Sequence, residues 1–342
     1  MVIMKKKIFS ICVLLLCIHY IFSQNKELKF NASGEFKIVQ FTDLHIEMKK
    51  SDADSESVFN AVKELIVLEK PDLVVITGDI ITQDPAGYVM KKLAAVFEEQ
   101  KTLWAIVLGN HDDECSHIER VRLAEMYRSM PYTMNIITGG IKGATNYILP
   151  ITGTGNKTQA LLYLLDSHGY NPMKGKVNSY YAWFDFSQIS WYREQSAMYT
   201  QKNNGTPLPA LAFFHIPFPE YSDLWVKDSA RCIGIKKEPV ASPKINSGMY
   251  TAMLECGDVM GTFVGHDHDN DYIGNFNGIA LAYGRCTRGK NPYVYASLPQ
   301  GGRVIVLKEG KREFDTWIRE VDSKMVNKCT YPQSFSSTGT AK

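Results

Sequence analysis

Short apolar runs, each about the length of a buried strand, set the frame of this sequence. Runs at 36–41, 73–77 and 103–108 come first. Helical repeats fall between them: Val58, Val62, Leu65 and Ile66, then Val89, Leu93, Val96 and Phe97. Runs of this length read as strands, and a 3–4 residue apolar period reads as an amphipathic helix. Their alternation implies βαβ units and a parallel core. Further runs at 161–165, 210–214, 260–264, 279–283, 303–307 and 313–318 follow with weaker helical signal, so a second, mixed sheet is expected. Residues 200–209 and 226–247 are polar and contain Gly and Pro, as loops do. The Ser/Thr-rich end, 329–342, is expected to be a disordered tail, which leaves 24–328 as one folded domain.

The residues that follow these runs carry the chemistry. After 36–41 comes Thr42-Asp43-Leu44-His45; after 73–77, Gly78-Asp79; after 103–108, Gly109-Asn110-His111-Asp112. His215 ends the 210–214 run, and Gly265-His266-Asp267-His268 ends the 260–264 run. Ligand-type side chains thus sit at the carboxyl ends of five expected strands, the edge where open α/β sheets form sites. Of the eight histidines, five lie at these ends, which random placement would not give. Mixed imidazole and carboxylate donors suit Zn, Mn or Fe. One bridging carboxylate with a ligand set on either side holds two ions about 4 Å apart, an arrangement that clamps a phosphoryl group. Glycines before Asp79, Asn110 and His266 are read as permitting a sharp turn from strand into loop. Asp-x-His or Gly-Asp alone is weak, and a lone His215 is more often a core histidine. Gly-Asn-His-Asp and Gly-His-Asp-His are far more specific, and the ordered set of five is specific as a whole.

In that order the motifs resemble the calcineurin-like metallophosphoesterase superfamily, in its single-domain branch related to purple acid phosphatases. Phe214-His215-Ile216-Pro217, Asn246-Ser247-Gly248, Leu165-Asp166-Ser167 and Gly257-Asp258-Val259 extend the resemblance, which spans residues 36 to about 319. It implies a four-layer α/β sandwich, with two mixed central sheets flanked by helices. It also implies two divalent or mixed-valence metal ions, with Asp43, His45 and His268 on the first and Asn110, His215 and His266 on the second. Asp79 would bridge them. The residues alone leave the division between the two ions open. By the same resemblance His111 is the catalytic histidine, helped by an acid such as Asp112, and a metal-bridging hydroxide attacks a phosphomonoester or phosphodiester. Two positions depart from the purple enzymes: Thr82 stands where they carry an iron-binding tyrosine, and His45 adds an imidazole they lack. A colourless centre is therefore expected.

Substrate contacts are a separate expectation. Tyr283 and Arg285 end the 279–283 run, and a guanidinium matches phosphate in a bidentate way. Phe218, Tyr221 and Trp225 are read either as walls of a leaving-group pocket or as packing. Rival readings are a dedicated cyclic-nucleotide-type phosphodiesterase, a non-catalytic phosphate- or protein-binding module, and a scaffold that metals merely stabilise.

Charge bears on partners and compartment. The formal charge of +2 includes Lys5, Lys6 and Lys7. These precede an apolar run at 8–22 that ends at Ser23-Gln24. That pattern reads as a signal peptide over 1–23, removed on export to the periplasm, cell surface or medium. Its run is short of the roughly 20 residues a spanning helix needs, so no membrane span is expected after cleavage. The remainder carries 35 basic and 36 acidic side chains, so no nucleic-acid partner is expected and a small phosphate ester is. Five cysteines outside the leader show no metal-type spacing and read as buried small hydrophobes.

Overall fold

The computed structural model describes residues 27–47, 53–82, 86–114, 117–290 and 295–336. The leader read at 1–23 lies outside them, as does Cys115. Strands β2 (Glu35–Phe41), β3 (Leu73–Thr77) and β4 (Trp104–Val107) run parallel, linked by helices α1 (Ala53–Glu69) and α2 (Ala86–Glu99). β11 (Gly301–Lys308), β12 (Phe314–Glu320) and β13 (Met325–Tyr331) add antiparallel neighbours, giving the order β13-β12-β11-β2-β3-β4.

The second sheet has seven strands in the order β1-β5-β6-β7-β8-β10-β9. Its members are β1 (Leu28–Lys29), β5 (Tyr147–Thr152), β6 (Thr158–Leu164), β7 (Ala210–Phe213), β8 (Val259–Val264), β9 (Ile273–Phe276) and β10 (Ile279–Tyr283). β6, β7, β8 and β10 are parallel. Helices α3 (Arg120–Arg128), α4 (Phe186–Lys202), α5 (Glu220–Asp228) and α6 (Met249–Cys256) complete the set.

Pleating sorts the apolar residues into layers, because successive side chains on a strand face opposite ways. Phe36, Ile38, Leu73 and Val75 pack between the sheets against Leu162, Leu211 and Phe263. Their neighbours Val39, Phe41, Val74 and Ile76 face α1 and α2, where Val62, Leu65, Leu93 and Phe97 meet them. On the far side Tyr163, Ala212 and Leu281 pack against Tyr192, Tyr221 and Met253. The result is helix, sheet, sheet, helix. Strands buried on both faces explain why β3 is a continuous apolar run.

Two expectations need correction. The folded part does not stop at 328: β13 runs to Tyr331, and Tyr331 and Phe335 are buried in the inter-sheet core. Adjacent Asn327 and Lys328 on this edge strand had masked its period. The cysteines are mixed: Cys286 and Cys329 are buried, Cys232 and Cys256 are half-buried, and all four are free thiols. Among the described residues no helix is long and apolar enough to cross a membrane.

Below the edge where β2, β3, β7 and β8 end, buried Gln40 joins the two sheets. Its Nε2 donates to Thr77 Oγ1 at 2.8 Å and to the Val264 carbonyl at 3.0 Å.

Candidate metal centre

Asp43 and His45 follow β2, Asp79 follows β3, Asn110 follows β4, His215 follows β7, and His266 and His268 follow β8. Hydrogen bonds between the loops set their relative height. Asp43 N donates to the Gly78 carbonyl (3.1 Å), His45 N to that of Asp79 (2.9 Å) and Ile46 N to that of Ile80 (2.9 Å). Four of these residues hold left-handed backbone: Asp43 (φ 52°), His45 (43°), Asp79 (50°) and His266 (78°). Each such non-glycine residue costs on the order of 1 kcal/mol or more, and strain gathered at one place marks a functional site. The glycines act differently from one another. Gly78 is left-handed (φ 85°), as a sharp turn requires. Gly109 and Gly265 are not; a Cβ on Gly109 would collide with Asp79, and one on Gly265 with Thr42. Their role is close approach rather than turning.

Two ligand clusters result. Asp43, His45 and His268 bring their donor atoms within 4.8 Å of one another, and so do Asp79, His215 and His266. Asp79 Oδ2 stands between the clusters, 3.1 Å from His215 Nε2 and 3.8 Å from His45 Nε2. Asn110 Oδ1 lies 3.2 Å from His215 Nε2. His45 Nε2 and His268 Nε2 are 3.0 Å apart, and His266 Nδ1 is 3.2 Å from His215 Nε2. All seven nominated ligand residues therefore meet in one bed, walled from both sheets.

The donor set fits cations. Asp79 is 1% exposed and its Oδ2 faces the imidazole nitrogens of His215 and His45, a position that is costly unless something positive meets it. His215 Nδ1 sits 2.7 Å from the Thr77 carbonyl. That contact places a proton on Nδ1 and aims Nε2 at Asp79, so Nε2 donates to the carboxylate when protonated and is the nitrogen that would face a metal when neutral. Burial and the nearby His268 hold His45 well below the usual imidazole pKa; burial and His215 do the same for His266. Both are thus neutral at pH 7, the form that binds metal. His215 goes the other way. Burial lowers it, but the charges of Asp79 and Asp43 outweigh that and push it up to about 9. The bed attracts positive charge where imidazole and carboxylate converge.

His111 stands at the rim, 37% exposed, with its ring centroid 5.6 Å from that of His45. Its backbone N–H donates to Asp79 Oδ1 at 2.8 Å, and its Nδ1 pairs with the Glu114 carboxylate. Tyr170 Oη donates to Glu114 (3.3 Å) and accepts from Asn110 Nδ2 (3.4 Å). Sequence reasoning missed Glu114 and Tyr170. The spacing His111 to Glu114 was the available signal for the first; nothing near Tyr170 flagged the second.

The structure sends three other nominated residues elsewhere. Asp112 points away from His111 and accepts backbone N–H bonds from Asp79 (3.0 Å), Ile80 (2.8 Å), Ile81 (3.1 Å) and Gly109 (2.7 Å). It ties the β3 and β4 loops together. Arg285 is 1% exposed, with its fork spent on Asp271, Glu320 and the Pro299 carbonyl. A buried charge needs such partners, so no guanidinium is left for phosphate. Tyr283 is fully buried, its hydroxyl donating to Asp267. Phe218 and Tyr221 are core side chains packed on Phe214 and Tyr283, and Trp225 packs on Tyr272. Aromatic contact with the bed comes instead from Tyr170, on Asn110, and from Tyr181, edge-on to His266 at 4.5 Å.

The profile described as calcineurin-like phosphoesterase matches residues 36–270. "Probable inactive purple acid phosphatase 29" of Arabidopsis thaliana is 31% identical over 326 residues, covering 86% of this chain and 82% of that protein. Phosphatase DCR2 of Saccharomyces cerevisiae is 33% identical over 319 residues, covering 84% of this chain and 54% of its own. A dimetal phosphatase from Danio rerio, of known structure, aligns with a TM-score of 0.60 at 14% identity, covering 86% of this chain and 98% of its own. That last likeness is one of fold.

Proposed function

Because the chain belongs to the calcineurin-like phosphoesterase family, we propose that it hydrolyses a small phosphate monoester or diester with two bound metal ions. The observation that carries this reading is Asp79 Oδ2, buried, facing imidazole nitrogens of His215 at 3.1 Å and His45 at 3.8 Å, and flanked by two ligand clusters. Asp43, His45 and His268 would hold one ion; Asn110, His215 and His266 would hold the other; Asp79 would touch both. Fe, Mn and Zn all suit these donors. When bound, the ions supply electrophilic charge to the phosphoryl oxygens and acidify water.

The chain's own residues do the rest. Strained, cross-bonded loops fix the ligand residues relative to one another, and such preorganisation lowers the reorganisation that catalysis needs. Asp112 keeps the β3 and β4 loops in register. Glu114 fixes the His111 ring through Nδ1, which leaves Nε2 to give a proton to the departing oxygen.

Relatives named inactive favour a second reading, a non-catalytic binding module on the same fold. The full set of seven ligand residues and a rim histidine supports catalysis instead. Turnover decides between them. Protein reconstituted with Mn, Zn or Fe is expected to hydrolyse p-nitrophenyl phosphate or its bis ester, and to stop on chelation. No turnover with any of these metals would contradict the proposal, and the ratio of the two rates separates monoesterase from diesterase. We also propose export, on the strength of Lys5–Lys7 and the apolar run behind them. Amino-terminal sequencing of protein recovered outside the cytoplasm should begin at Gln24; a retained leader would contradict it.

A further inference from the structure

A cleft of about 790 Å³ opens directly beside Asn110 and Glu114 and runs along Tyr170, Met173, Trp183 and Phe186. Its walls are unusual for a water-facing surface. Phe186 is 78% exposed, Met173 43% and Tyr170 38%. Phe186 is the first residue of α4, where Asp185 and Gln188 already supply the capping box; nothing in the helix start calls for an aromatic side chain. The wall is continuous with the metal bed. Tyr181 contacts His266, Tyr170 stacks on Tyr181 at 6.1 Å with an interplanar angle of 20°, and Tyr180 meets both edge-on. Charge in the cleft is mixed: Arg120 is paired with Asp113 and Asp166, and Lys142 and His168 lie near the Asp185 carboxylate. The lining residues thus offer no cluster of unopposed cations to a second phosphate.

We propose that this cleft seats a flat aromatic leaving group, so that the preferred substrates are phosphate esters of aromatic or heteroaromatic alcohols. The inference rests on the hydrolase reading above and adds the class of the organic half of the substrate. Rings present flat apolar faces that aromatic side chains bind at little cost in ordering. Stacking of one ring on such side chains typically favours binding by roughly tenfold or more.

The test uses the full, metal-reconstituted protein and two esters, 1-naphthylmethyl phosphate and ethyl phosphate. Both leaving groups are primary alcohols, so intrinsic reactivity differs little and the comparison reads recognition. kcat/KM should favour the naphthylmethyl ester by roughly ten- to a hundredfold, and the ratio should fall toward unity in Phe186→Ala. Equal rates in the unaltered protein would overturn the proposal. So would decyl phosphate matching the naphthylmethyl ester, since the cleft would then be merely apolar. If neither monoester turns over, the bis(p-nitrophenyl) ester decides the hydrolase reading, and calorimetry with 1-naphthylmethylphosphonate judges the cleft by itself. Tighter binding than ethylphosphonate, lost in Phe186→Ala, supports it; equal binding overturns it.

Discussion

The metal bed and the cleft beside it are built by opposite means. The bed draws its side chains from five strand ends in two sheets, buries nearly all of them, and holds four in left-handed backbone. The cleft is walled mainly by the single segment 168–186, between β6 and α4, with large aromatic side chains turned to water. Donor atoms must be held to a fraction of an ångström, which rigid strand ends achieve. An organic group needs shape that can vary, which connecting segments provide. On the proposed reading, one fold keeps its chemistry fixed while the neighbouring surface sets what is accepted.

Substitutions can break or sharpen that contrast. Asp79→Asn strikes the centre of the bed and removes the shared charge. It should reduce bound metal from two ions to one or none by elemental analysis, with kcat/KM down on the order of 10³-fold or more. Retention of both ions would remove Asp79 from the bridging role. His111→Ala should leave metal content alone and lower kcat by roughly 10²- to 10⁴-fold; an unchanged kcat would refute its part in leaving-group departure. Glu114→Gln keeps the hydrogen bond but not the charge, so a smaller fall is expected, about tenfold in kcat with KM steady. An altered pH profile of kcat in that variant is what separates orientation of His111 from mere loop support. Arg285→Ala should scarcely change kcat/KM while costing roughly 3–5 kcal/mol of stability, as breaking a buried pair does, read as a lower denaturant midpoint. The reverse pattern would return Arg285 to the substrate.

The bed was legible in the sequence and the cleft was not. Strand-length apolar runs are set by burial on both faces, and β2, β3 and β10 fell within a residue of the runs read at 36–41, 73–77 and 279–283. Ligand residues had to follow those runs, because the sheet edge is where they converge. Two kinds of residue escaped. One kind acts through contacts between distant segments: Tyr170 between Asn110 and Glu114, and Asp112 facing the backbone N–H groups of Asp79, Ile80 and Ile81. Local pattern carries no trace of such partners. Arg285 belongs here too, since Asp271 and Glu320 claim it only once β9 and β12 are in place. The other kind was apolar residues of ambiguous use. Phe218, Tyr221 and Trp225 follow a ligand histidine and yet lie in the core, whereas Phe186 and Tyr170 sit in unremarkable sequence and line the cleft. Exposure decides between these uses, and exposure belongs to the fold as a whole. Strand β13 was missed for a related reason: an edge strand with one wet face mixes Lys and Asn into its apolar period.

Anomalous diffraction from crystals of the reconstituted protein, collected above the absorption edge of the added metal, tests the central claim most directly. Two peaks flanking Asp79 are expected, one among Asp43, His45 and His268 and one among Asn110, His215 and His266. A single peak, or peaks away from Asp79, would contradict it.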